Sequence, residues 1–124
     1  MMNEKQRATS RFLIKQRLFI KLYLLKYIED GRLYGIQMLE QIRDRFQSEG
    51  YKPNHADIYR ALHELVDSGV IKASKRKLTE DSYQEILIYY IRDTQKAAII
   101  KEQGIKELKD SAALLKKALD DLED

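Results

Sequence analysis

The sequence predicts an α+β fold of three short helices, a two-stranded β-hairpin and one long closing helix. Three observations carry that expectation. Apolar residues recur at helical spacing in four separate stretches, and two runs rich in β-branched and aromatic residues lie next to each other at 70–77 and 83–91. Gly31, Gly50 with Pro53, and Gly69 stand at the ends of the first three helical stretches. With 124 residues, 44% apolar and 35% charged, the chain is expected to be a single domain over 1–124.

Residues 1–10 are polar and read as a flexible arm. From Phe12 to Ile28 apolar side chains wrap most of a helix, which predicts burial on more than one side. "EDG" at 29–31 ends it, with Gly31 in a C-terminal capping position. In "LYGIQMLEQIRDRF" the residues Ile36, Leu39, Ile42 and Phe46 form the expected inward stripe of a second helix. After the break at Gly50 and Pro53, Asn54 is a suitable N-cap and Asp57 stands in the capping-box position. Ile58, Leu62 and Leu65 are the predicted buried stripe of the third helix, which Gly69 closes.

Val70–Lys77 and Tyr83–Ile91, joined by "LTEDS", read as a hairpin. From Asp93 to Leu122 one long helix follows, about 45 Å at 1.5 Å per residue. Its residues Ile105, Leu108, Ala112, Leu115, Leu119 and Leu122 alternate spacings of three and four, a heptad seam that asks for a partner helix from a second copy. Gly104 is expected to mark a bend near the start of that seam. Three helices followed by a hairpin form a winged helix-turn-helix. The division is an arm at 1–10, the winged helix at 11–92 and a dimerisation helix at 93–122.

Net charge is only +3, but its distribution is uneven. Seven basic residues against Glu4 occupy 1–28, and Lys72, Lys75, Arg76 and Lys77 form a second cluster with no acid inside it. Asp120, Asp121, Glu123 and Asp124 reverse the sign at the C-terminus. Such segregation suits a polyanion on one face. With Ile58, Leu62 and Leu65 inward, the third helix turns Ala56, Tyr59, Arg60, His63 and Asp67 outward, with His55 at its rim. A helix lying in a major groove presents its N-terminal half to base edges. Arg60 can bond a guanine bidentately, while Tyr59 and His55 can reach phosphate or base. Tyr59 can equally pack over the core edge, and His63 can pair with Asp67. The acids Glu64 and Asp67 sit in the last turns, pointing away from phosphate. Lys72, Lys75, Arg76 and Lys77 can straddle a phosphate backbone through the first strand of the wing, since Glu80 and Asp81 at the tip repel it. Lys15, Arg17, Arg7 and Arg11 are a third set of candidate contacts.

Other functions find little support. No apolar run reaches the length of a membrane span, no secretory signal core opens the chain, and the absence of cysteine removes disulfides and thiolate sites. A cytoplasmic, nucleoid-associated protein is expected. His55 and His63 are about 12 Å apart along a helix, too far to share a metal. No glycine-rich phosphate loop and no nucleophile grouping is present, so neither a cofactor nor an enzymatic activity is expected.

"FLIKQRLFIKLY", "RLYGIQMLE" and "KPNHADIYRALHELVDSGVIK" resemble the replication terminator protein family of Bacillus, with PadR-type regulators as wider relatives. "PNH" followed by "YR" and "LHEL" carries the closer likeness, whereas "YG" and "LVDSGVI" are shared with the PadR relatives. The resemblance implies a homodimer joined through its long C-terminal helices, binding double-stranded DNA at terminator sites and arresting a replication fork from one side. By position it implies DNA contacts at Arg17, Tyr59, Arg60, Lys72, Lys75 and Lys77. It further implies a replicative-helicase contact at Tyr34, and a contact at Tyr89 between two dimers on adjacent sites. The wing departs from the family at Leu78, Thr79, Glu80 and Asp81, where the family continues basic. A transcriptional repressor needs the same DNA-reading head and is the alternative. A basic surface holding acidic protein partners is a third reading.

Overall fold

Helix α1 (Gln16–Glu29) leads into α2 (Gly35–Phe46), a short 3₁₀ turn at Gln47–Glu49 and α3 (His55–Asp67). The hairpin β1 (Ile71–Lys77) and β2 (Glu85–Ile91) follows, then the long helix α4 (Thr94–Leu122). This computed structural model describes residues 11–31, 34–77, 79–81 and 83–123. The expected arm at 1–10, and Leu78 and Ser82 of the expected turn, lie outside the described residues.

The core draws one face of α2 and of α3, and more than one side of α1, as its apolar pattern predicted. Ile20, Leu24 and Leu25 of α1, Met38, Leu39 and Ile42 of α2, and Ile58, Leu62 and Leu65 of α3 are closed to solvent, together with Ile71 and Tyr89 from the hairpin. Each such side chain contributes about 1.5–3 kcal/mol through removal from water. Around them an aromatic shell of Phe19, Tyr23, Phe46 and Tyr51 packs ring against ring, with centroids 5.2–6.2 Å apart.

Several expectations are corrected. The first helix begins at Gln16 rather than Phe12, and Phe12 is exposed. Lys15 is extended (φ −72°, ψ 144°), and the Ile14 N–H donates to Ser111 Oγ on α4 at 2.8 Å. The residues before α1 are therefore docked on the long helix instead of extending the first. In α2, Ile36 faces solvent and Met38 takes its place inside. The phase is set by Gly35, the first residue of the helix, which is buried and brings residues 38, 39 and 42 inward with it.

Helix α4 runs unbroken through Gly104. The glycine is a notch: a Cβ there would collide with the Leu22 side chain, so α1 and α4 approach this closely only because the side chain is missing. One turn on, Glu107 is buried and pairs with Arg11 at 3.3 Å. Ser111 Oγ donates to the Glu107 carbonyl at 2.8 Å while accepting from Ile14, so both buried polar groups are satisfied. Leu115 and Leu122 continue the Gly104–Ser111 face along α4, and with Leu119 and Ile105 beside it they stand in solvent.

The strands pair antiparallel from Ile71 opposite Ile91 to Lys77 opposite Glu85. Tyr34 adds an isolated antiparallel bridge to Ile88, tying the start of α2 to the base of the wing. No helix among the described residues is long and apolar enough to cross a membrane.

Candidate nucleic-acid interface

Helix α3 is fixed before any ligand arrives. Asn54 Oδ1 accepts from the Asp57 N–H at 2.9 Å, and Asp57 Oδ2 accepts from the Asn54 N–H at 3.0 Å, completing the predicted capping box. Arg43 Nε donates to the Pro53 carbonyl at 2.7 Å, which pins the loop that delivers the cap. At the far end Gly69 turns the chain at φ 79°, a left-handed conformation that a side chain would oppose. Lys96 Nζ donates to the Ser68 carbonyl at 3.0 Å, placing a cation at the negative end of the helix.

The outward arc of α3 is His55, Ala56, Arg60, His63 and Asp67, all exposed. No ion pair forms between His63 and Asp67 among the described residues. The two flanks of the arc differ. Tyr59 is half-buried, stacked on His55 with centroids 6.2 Å apart and lying over Gly35. A Cβ at Gly35 would meet the Tyr59 hydroxyl at 2.6 Å, so the "YG" pair at 34–35 is the seat of that ring. Of the two roles open to Tyr59, packing over the core edge is the one its position displays.

On the other flank Glu64 leans toward α1. Its carboxylate binds Lys21 Nζ at 2.8 Å through one oxygen and Arg17 through the other. The hydrogen bond from Lys21, with the Arg17 charge behind it, holds the Glu64 carboxyl below its usual range. Arg17 is thus not a free cation in this state, and Lys21 shares its partner. Sequence reasoning had passed over Lys21; its spacing of four from Arg17 on one helix was the available signal. Lys15 is exposed at the N-terminus of α1, whereas Arg11 is committed to Glu107.

The wing divides its cations between two faces, because alternate residues of a strand point oppositely. Lys75 and Lys77 share a face with Ile71 and, across the pair, Leu87 and Glu85. Lys72 and Arg76 share the other with Tyr90: Lys72 Nζ lies 6.0 Å from the ring centroid, and Arg76 donates to the Tyr90 hydroxyl at 3.1 Å. All four cations are exposed. The neighbouring Tyr89 is not. It is 2% exposed, and burial pushes its phenol pKa up, so its ring is a core element and not a surface that a second dimer could meet. Tyr34 is 38% exposed at the N-cap position of α2.

Among the described residues no group of three or more His, Cys, Asp or Glu side chains is arranged to hold a metal ion. The heptad positions are open: Ile105, Ala112, Leu115, Leu119 and Leu122 are exposed and Leu108 is half-buried.

A three-helix head with a capped third helix and a basic hairpin is a winged helix-turn-helix, here extended by a long C-terminal helix. Solved structures share this fold: Pex from Synechococcus sp. superposes with a TM-score of 0.58 at 15% identity, covering 85% of this chain and 92% of that one. A candidate transcriptional regulator from Thermoplasma acidophilum gives 0.53 at 21% identity, covering 86% and 91%. Sequence similarity is more specific. Residues 11–122 match the replication terminator protein family. The replication termination proteins of Bacillus subtilis and Bacillus spizizenii are each 42% identical over 120 residues, 97% of this chain and 98% of theirs. The chain belongs to the replication terminator protein family.

Proposed function

We propose that this protein is a homodimer that binds double-stranded DNA at terminator sites and arrests a replication fork approaching from one side, a binding protein and not an enzyme. The observation that carries the reading is the exposed outer arc of α3, with Arg60 and His55 near its capped end, set between cations on α1 and cations on the wing. Arg60 reads a base edge, while Lys15, Lys72, Lys75 and Lys77 meet phosphates. Residues 11–92 form the DNA-reading head and 93–122 the dimerisation helix. The row from Ile105 to Leu122, left in water, is an apolar patch of the sort that a second copy covers. Two heads joined in this way read half-sites about one helical turn apart.

Fork arrest on a template carrying one site in either orientation tests the reading. Stalling in one orientation only is the expected result. Tight site binding without stalling in either orientation would leave a site-specific repressor instead. Glutamate at both Leu108 and Leu115 is expected to give monomers with much weaker binding; sedimentation of an unchanged dimer would remove the seam from the account. Tyr34 is our candidate for a helicase contact. Tyr34→Ala is expected to lower arrest while leaving site affinity and thermal stability near wild type, and a loss of stability would assign the ring to the fold.

A further inference from the structure

The ion cluster between α1 and α3 lies at the surface, outside the apolar core. We propose that Glu64 is a specificity-determining residue: it occupies Arg17 and Lys21 in the unbound protein and so withholds two phosphate-binding cations from arbitrary polyanions. The proposal rests on the DNA-binding reading of α3.

Placement supports it first. Glu64 is four residues from Arg60, about 40° around the helix, so it borders the outward arc on the side of α1. When a helix lies in a groove, its flanks face the two phosphate backbones. The Tyr59 flank runs toward Gly35 and, through the Tyr34–Ile88 bridge, toward the wing, where Lys72 and Arg76 meet the neutral Tyr90 and not a carboxylate. The Glu64 flank runs toward Arg17 and Lys21, spaced one turn apart on α1, where a backbone would find both cations already bridged by one carboxylate.

Charge and exposure make the bridge a competitor and not a buttress. Glu64 and Arg17 remain well open to solvent, at 47% and 38% side-chain exposure. Exposed ion pairs contribute little to stability. The same carboxylate strongly affects any phosphate brought to this flank. It repels the phosphate directly, and it must surrender Arg17 or Lys21 before either can bind. A duplex held in register by Arg60 and the wing keeps a phosphate at this position long enough to make the exchange. A duplex or polymer gripped only by charge gains less from it. Non-specific affinity is therefore lowered more than specific affinity.

Glu64→Gln removes the charge at nearly constant shape and is the test. On random duplex the variant should bind more tightly, with a log–log salt slope steeper by about 0.9 for each cation freed, hence about 1.8 for both. Affinity for the specific site should rise less, so the ratio of specific to random binding falls. Retention on a heparin column should shift to higher salt, and that shift should vanish when Arg17 and Lys21 are also changed to alanine. Unchanged slope, unchanged specificity ratio and unchanged heparin retention would overturn the proposal. Weaker binding to both duplexes would also overturn it, showing that Glu64 positions Arg17 on a phosphate. Heparin separates this failure from that of the DNA reading. If wild type bound no duplex yet the Glu64→Gln shift on heparin appeared, the restraint on the cations would stand and the DNA target would fall.

Discussion

Helix α3 and the hairpin both present cations to solvent, yet they are held by different means. Along α3 every turn is tied down: the capping box at its start, Ile58, Ala61, Leu62 and Leu65 closed to solvent beneath it, Tyr59 seated on Gly35, and Lys96 at its end. The hairpin is held to the core through Ile71, Ile88 and Tyr89, with Ile91 packed against it, and everything on β1 from Lys75 onward is exposed. The difference fits the two tasks. Reading a base edge by paired hydrogen bonds needs a side chain delivered to a fixed place, whereas a phosphate contact tolerates a few ångströms of adjustment and carries no sequence information. On the proposed reading, the more firmly packed element is the one that discriminates.

The largest test of that contrast is in stability. Leu62→Ala, beneath the centre of α3, is expected to cost about 2–5 kcal/mol. Leu87→Ala on the wing, 42% exposed, is expected to cost less than about 1 kcal/mol. Denaturant unfolding of both variants decides it, and similar losses would mean that the wing is as much a part of the cooperative core as the helix.

Next comes the division of labour on DNA. Arg60→Ala is expected to cost about 1–3 kcal/mol on the specific site and little on random duplex. Lys75→Ala should weaken both by a similar factor and reduce the salt slope by about 0.9. If Arg60→Ala weakened both duplexes equally, the helix would hold backbone as the wing does and the contrast would be lost. A smaller effect sharpens the same line. Asn54→Ala removes the cap of α3 and is expected to cost about 1 kcal/mol in thermal or chemical unfolding. Arg76→Ala removes an exposed hydrogen bond to Tyr90 and should stay within about 0.5 kcal/mol.

What the sequence disclosed follows the same split between local and distant causes. The cap at Asn54, the turn at Gly69 and the stripe of Ile58, Leu62 and Leu65 are written within a few residues of each other, and all three appear as expected. The union of Arg17, Lys21 and Glu64 joins residues more than forty positions apart, and no spacing announces it. Nothing within α4 marks Glu107 and Ser111 as buried, since what covers them is the segment that precedes α1. Gly104 looked like a weakness in a helix because its purpose lies in Leu22, on another element. In "ILIYYI" the apolar run is continuous, so alternation alone could not say which tyrosine faces in; Tyr89 does, and Tyr90 is left to meet Lys72 and Arg76.

The smallest expected effect lies in acid, and it probes the seam between the two regions' foundations. Lys21 and Arg17 lower the Glu64 carboxyl pKa in the folded protein. The unfolded chain therefore takes up the proton first as pH falls. Stability contributed by the ion cluster is fully present above the unfolded carboxylate value, about 4.3, and is lost as pH drops through the lower folded value. Other acids titrate in the same range, so the useful quantity is the difference between wild type and Glu64→Gln. That difference should be small near neutrality, because the pair is exposed, and should shrink further below pH 4 and in high salt. Urea unfolding of both proteins between pH 3 and 7 measures it. A difference that stayed constant across that span would mean that Glu64 acts through its shape and not its charge, and that the bridge to α1 contributes nothing electrostatic to the placement of α3.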